Sequence, residues 1–99
     1  MNIALMYANA VHGKFDFIKI VLFGSYAKGN FNSDSDIDIA VVLKDYANVL
    51  DVQLELMRIR RKIDSRIEPH PFRESEFDLA NPLVYEILKY GKEIKINAA

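Results

Sequence analysis

The sequence predicts an α+β fold, a small mixed β-sheet with helices packed on one face, and three observations carry that expectation. Two apolar runs of strand length, Ile18 to Phe23 and Ile39 to Leu43, flank a polar stretch rich in Gly, Asn, Ser and Asp. From Asp45 onward the period changes: Val49, Val52, Leu56, Ile59 and Ile63 are spaced 3, 4, 3 and 4, which is one face of an amphipathic helix. Beyond that helix the chain is cut into short elements by Pro69, Pro71, Pro82 and Gly91.

Taken in order, residues 2 to 10 fit a short helix with Ile3, Leu5, Met6 and Ala10 as its apolar members and Gly13 as its stop. The run Ile18 to Phe23 is a strand interrupted only by Lys19. Gly24-Ser25 turns the chain, and a helical turn there would aim backbone N–H groups at an anion. In the long helix, Asp45 is the expected N-cap, Leu50, Leu54 and Met57 widen the apolar face, and Arg60, Arg61 and Lys62 suit the negative C-terminal end. Ser65 to His70 reads as a third strand with Arg66, Glu68 and His70 on one face; Pro69 and Pro71 make it short, an edge, or terminated there. Residues 74 to 78 read as a helical turn. Asn81-Pro82 is an N-cap followed by Pro at the first helical position, with Leu83, Val84, Ile87 and Leu88 as the core face and Gly91 as the C-terminal stop. Glu93 to Ile96 is expected to add a last small strand.

Composition bounds the function. The 99 residues are expected to form one domain, 1–99, with 51% apolar and 27% charged residues, the balance of a soluble globular protein. A net charge of −1 supplies no field to draw nucleic acid or an acidic membrane, so neither is an expected partner. The absence of cysteine excludes disulfides, thiolate metal sites and a cysteine nucleophile. No run approaches the roughly 18 apolar residues of a membrane span. Ala8-Asn9-Ala10 lacks the basic and apolar segments a signal peptide needs, so a cytoplasmic location is expected.

Chemistry concentrates between the two apolar runs. Asp36 and Asp38 are one residue apart at the start of a strand, so both point one way while Ile37 and Ile39 point into the core. Two neighbouring carboxylates repel, and a divalent cation relieves them; Mg²⁺ is commonly held by one or two carboxylates plus phosphate oxygens. A P-loop is excluded, since Asn30-Phe31 stands where Lys and Ser/Thr must follow Gly29. A calcium EF-hand starting at Asp34 is excluded by Ile39 in place of Gly and Asp45 in place of Glu. A solvated hairpin loop accounts for Asn30, Asn32, Ser33, Asp34 and Ser35 but not for a carboxylate pair abutting a buried strand.

Gly24-Ser25, ten residues, then Asp36-Ile37-Asp38, in the form GSYAKGNFNSDSDIDIAVV, resembles the signature of the DNA polymerase beta-like nucleotidyltransferases, most of all their minimal, MNT-type members. The resemblance covers most of the chain and implies that family's fold in a single minimal nucleotidyltransferase domain. It also implies transfer of a nucleoside monophosphate, AMP from ATP, to a hydroxyl, with two Mg²⁺ ions clamping the attacking and leaving oxygens. Asp36 and Asp38 would then be catalytic metal ligands. The family's third carboxylate, usually Asp, lies on the strand after the long helix; the matching residue is Glu68, with Asp64 as runner-up. Gly24 and Ser25 would bind the triphosphate, and Lys28, where relatives commonly carry Arg, would touch phosphate as a point charge. Ser35 would cap or orient the loop. Tyr26 stacks on a base or fills the hydrophobic layer, and His70 is an active-site neighbour or a partly exposed structural residue. With only His12 and His70, a zinc site is not expected.

The resemblance further implies a HEPN-domain protein partner, modified on a tyrosine hydroxyl, with this chain expected to act as antitoxin of a toxin–antitoxin pair. Two alternatives stay open. Glu for Asp at position 68, with Pro69 beside it, suits a weak or inactive module that neutralises its partner by contact. Transfer to a small, aminoglycoside-like molecule would call for a homodimer.

Overall fold

The computed structural model describes residues 2–96; Met1 and residues 97–99, the ends of the expected 1–99 domain, lie outside them. The elements run α1 (Asn2–His12), β1 (Phe17–Phe23), α2 (Ser25–Lys28), β2 (Ile37–Leu43), α3 (Val49–Arg61), β3 (Ile67–Arg73), a 3₁₀ turn at Glu74–Glu76, α4 (Pro82–Tyr90) and β4 (Lys92–Glu93). The sheet order is β3-β2-β1-β4. β1 is antiparallel to β2 and β4, whereas β2 and β3 are parallel, joined by the α3 crossover. This is the mixed sheet and α+β class that the sequence predicts.

Alternation along the strands builds two apolar layers. Ile20, Leu22, Ile37, Ile39, Val41 and Ile67 point to one face, where α1 contributes Ala4, Tyr7, Ala8 and Val11, and α3 contributes Val52, Leu56 and Ile59. Val21, Phe23 and Ala40 point to the other, where Ile87 of α4 covers them with Phe72 and Phe77 alongside. The two longest helices thus lie on one face as expected, while α4 departs from the one-face arrangement and closes a second, smaller core.

Tyr7 locks α1 to α3. Its ring is fully buried and its hydroxyl donates to Leu56 O at 2.9 Å. Burial pushes its pKa up from the ordinary 10.0, with nearby Arg60 opposing more weakly. The folded state therefore keeps a proton that the unfolded chain loses near pH 10, so stability falls as pH rises above that value. Tyr7→Phe is expected to cost about 1 kcal/mol near neutrality and to flatten the alkaline loss. Urea unfolding on either side of pH 10 measures both.

Several local expectations are corrected. The N-cap of α3 is Asn48, whose side chain accepts from Leu50 N and Asp51 N, and not Asp45. Asp45 is taken by Arg73 Nε at 3.0 Å and by Tyr46 N. Leu50 and Leu54 are exposed and do not widen the buried face. β3 does not stop at His70 but runs on to Arg73. Ile37 N donates to Arg66 O, which turns the backbone groups of the even-numbered β3 residues toward β2 and those of Ile67, Pro69 and Pro71 outward. The prolines therefore break no ladder bond. Outward carbonyls are bonded instead by α3: Gln53 donates to Pro69 O and Arg60 to Ile67 O. Gly91 does end α4, but with φ −70 and not a left-handed turn. A Cβ there would strike Ile87 O and come within 2.6 Å of Val21 Cγ1, so close packing of the α4–β4 corner on β1 requires glycine.

Candidate active site

Three strand ends meet at one place. In the sheet register Phe23 of β1 lies opposite Asp38 of β2, and Asp38 lies opposite Glu68 of β3. The Gly24-Ser25 turn, which follows Phe23 directly, is thereby set beside Asp38. Ile37 and Ile39 are fully buried, which fixes the alternation that leaves Asp36 exposed and Asp38 half-buried.

Gly24 adopts φ 74, ψ −154, a conformation open essentially to glycine alone. A Cβ on Gly24 would collide with Oδ2 of Asp38 and lie 3.2 Å from its Cγ. The turn and the carboxylate are thus in direct contact across the strand pair. On its other side, Asp38 Oδ1 lies 3.2 Å from His70 Nε2. The loop between the strands is shaped by Asn32 Oδ1, which accepts from Asp34 N, and by Ser35 Oγ, which accepts from Asn32 N. Ser35 orients the loop, as expected.

The other candidates are placed as follows. Glu68 is half-buried and directly opposite Asp38. Asp64, the runner-up, is committed elsewhere: Arg66 grips it through Nε at 3.0 Å and Nη2 at 2.8 Å, and Arg66 N adds a third bond. Those bonds hold its carboxyl near 2 instead of 3.8. The pair contributes stability above the unfolded value and loses it as pH falls through about 2. A carboxyl-carbon NMR titration should find Asp64 still ionised at pH 3; an ordinary titration would contradict the pairing.

Lys28 is engaged by Glu86 of α4, which pushes its pKa up, and its Nζ sits 4.9 Å from the Tyr90 ring centroid. A phosphate would have to compete with Glu86 for it. Tyr26 stacks on Phe31 at 4.3 Å and receives a hydrogen bond from Arg66 Nη1, so one face of its ring is already covered. Together with Leu22, Arg66 and Lys92 these rings line a cavity of about 350 Å³.

Among the described residues, no Lys or Arg forms an ion pair with Asp36, Asp38 or Glu68. Nor, as the side chains stand, does any group of three His, Cys, Asp or Glu among those residues converge as a metal would require. The register nevertheless assembles an all-oxygen carboxylate set against a backbone turn, a donor chemistry that fits Mg²⁺. His70 on Asp38 is the contact that strand reading left open: its shared face with Glu68 was legible, its diagonal reach to Asp38 was not.

Residues 8–98 match a family model described as "Polymerase beta, Nucleotidyltransferase". The chain is 27% identical over 79 residues to "Putative protein adenylyltransferase MJ0141" of Methanocaldococcus jannaschii, covering 77% of each. A crystal structure of a toxin–antitoxin with AMP-PNP superposes with TM-score 0.71 at 25% identity, over 91% of this chain and 70% of that one. The fold also matches, with TM-score 0.63 at 23% identity, a chain of the tri-AMPylated Shewanella oneidensis HEPN toxin in complex with MNT antitoxin, over 91% of this chain and 66% of that one.

Proposed function

The chain belongs to the polymerase beta nucleotidyltransferase family, and from that premise we propose that it transfers AMP from ATP to a hydroxyl on a partner HEPN-domain protein, as the antitoxin of a cytoplasmic toxin–antitoxin pair. The observation that carries this reading is the junction of Gly24, Asp38 and Glu68 across three adjacent strands, carboxylates with no Lys or Arg partner among the described residues, beside a glycine turn. The named relatives support it: a protein adenylyltransferase by name, a toxin–antitoxin solved with AMP-PNP, and an AMPylated HEPN toxin with its MNT antitoxin.

In this mechanism Ser25 holds a triphosphate oxygen through its hydroxyl and backbone N–H, where Gly24 allows close approach. Asp36, Asp38 and Glu68 would hold Mg²⁺, which supplies charge neutralisation and orientation at the attacking and leaving oxygens. The acceptor hydroxyl oxygen bonds to the α-phosphorus, the bond from that phosphorus to the bridging oxygen breaks, and pyrophosphate leaves with the electron pair. Glu68 takes the hydroxyl proton.

The test is Mg²⁺-dependent transfer from α-labelled ATP to a HEPN-domain partner protein. Label is expected on that partner. Glu68→Gln should cut transfer by about 10²- to 10⁴-fold, while Asp64→Asn, outside the machinery, keeps it. Tight binding of the two proteins without label would sink the enzyme reading and leave neutralisation by contact. One observation favours that second reading, the commitment of Lys28 to Glu86. Another weakens it: Pro69 turns its backbone away from β2 and leaves Glu68 in register. A small-molecule acceptor would need a second copy of the chain, and nothing in the geometry favours it.

A further inference from the structure

We propose that His70 is a positioning residue for Asp38, fixing the orientation of its carboxylate plane toward the phosphate turn; the inference rests on Asp38 being a metal ligand, as proposed above. In the β2–β3 register Glu68 lies opposite Asp38 and His70 opposite Ala40, so His70 is one diagonal step from Asp38 on the same face. Ala40 is fully buried and offers only a methyl group, which leaves the imidazole room to reach past it. Nε2 comes to 3.2 Å from Oδ1. An ionised carboxylate only accepts, so Nε2 carries the hydrogen and donates.

The ring is held in turn. Phe23, buried on β1, meets it edge-on with centroids 5.0 Å apart at 61°. Phe23 is also the residue opposite Asp38 and immediately before Gly24. Each Asp38 oxygen therefore has its own neighbour: Oδ1 takes the imidazole N–H, and Oδ2 rests over Gly24 beside Ser25. The last torsion of aspartate is broad and nearly two-fold, so without the N–H the carboxylate is free to turn Oδ2 away from the ligand position. Hydrogen bonds that orient a ligating carboxylate are worth about 10- to 100-fold in metal affinity.

The experiment is Mn²⁺ binding to the full chain, followed by the electron paramagnetic resonance of free Mn²⁺, for wild type, His70→Leu, His70→Gln and Asp38→Asn. Thermal unfolding of each is recorded alongside. His70→Leu should weaken binding by about 10- to 100-fold with the unfolding midpoint close to wild type. His70→Gln, which places an N–H where Nε2 stood, should restore most of it. If His70→Leu does not fold, His70→Asn, polar but too short to reach Oδ1, takes its place. Wild-type affinity in His70→Leu, with binding lost in Asp38→Asn, overturns the proposal and leaves the site reading standing. Equal weakening in His70→Gln and His70→Leu assigns the effect to packing and overturns it as well. A wild type that binds Mn²⁺ no better than Asp38→Asn overturns both the proposal and the site reading.

Discussion

Asp36→Asn and Asp38→Asn, made singly, should each leave a folded protein whose transfer of labelled AMP falls by about 10³-fold or more. The metal and phosphate charges they help to place are worth several kcal/mol in the transition state, and about 1.4 kcal/mol is tenfold in rate. Shape is conserved by the substitution. Asn at 38 still offers an oxygen to His70 Nε2 and still fits over Gly24, since only the charge and one acceptor are lost. Stability should hold or rise slightly, because two carboxylates one residue apart no longer repel. Rate and unfolding midpoint moving in these different directions is the signature of a site. Less than a tenfold loss of transfer in both variants would remove the pair from the chemistry.

Gly24→Ala should damage stability and transfer together. The backbone at φ 74, ψ −154 costs an L-residue about 1–3 kcal/mol, and the new methyl group enters the space of Asp38 Oδ2. Either the turn lifts off β2 or the carboxylate rotates, and both separate Ser25 from Asp38. Gly91→Ala is the comparison. It also collides, with Ile87 O and Val21, but at the α4–β4 corner and against no carboxylate. Urea unfolding and label transfer, measured where each variant is still folded, should show a transfer loss in Gly24→Ala well beyond that of Gly91→Ala. Equal transfer in the two would mean the Gly24 turn does not shape the site.

Much of this was legible in the sequence, for reasons that also mark the limits. Ile37-Asp38-Ile39 could be read because burial of alternate residues forces the intervening side chains to the other face. The buried face of α3 and the Asn81-Pro82 start of α4 could be read because the period of the one and the cap of the other are local. Asp45 and Asn48 are both good caps, and what decided between them was Arg73, 28 residues away in sequence from Asp45. Pro69 and Pro71 look like strand breakers until the register shows that their nitrogens face outward. The second layer under α4 depends on which face of β1 it covers, and no period within α4 states that. His70 and Asp38 are 32 residues apart, and their meeting depends on a pairing register that neither strand specifies alone.

The outward side of β3 has a consequence for assembly. An unpaired strand edge ordinarily invites another strand to add to the sheet, in recognition or in aggregation. Here Pro69 and Pro71 offer no N–H to an incoming chain, and the carbonyls of Ile67 and Pro69 are already taken by Arg60 and Gln53. These contacts close positions 67 and 69, the part of the border nearest Asp38 and Glu68, to an incoming strand. A partner that presents a hydroxyl there is expected to approach by side chains from helices or loops and not by adding a strand to β3.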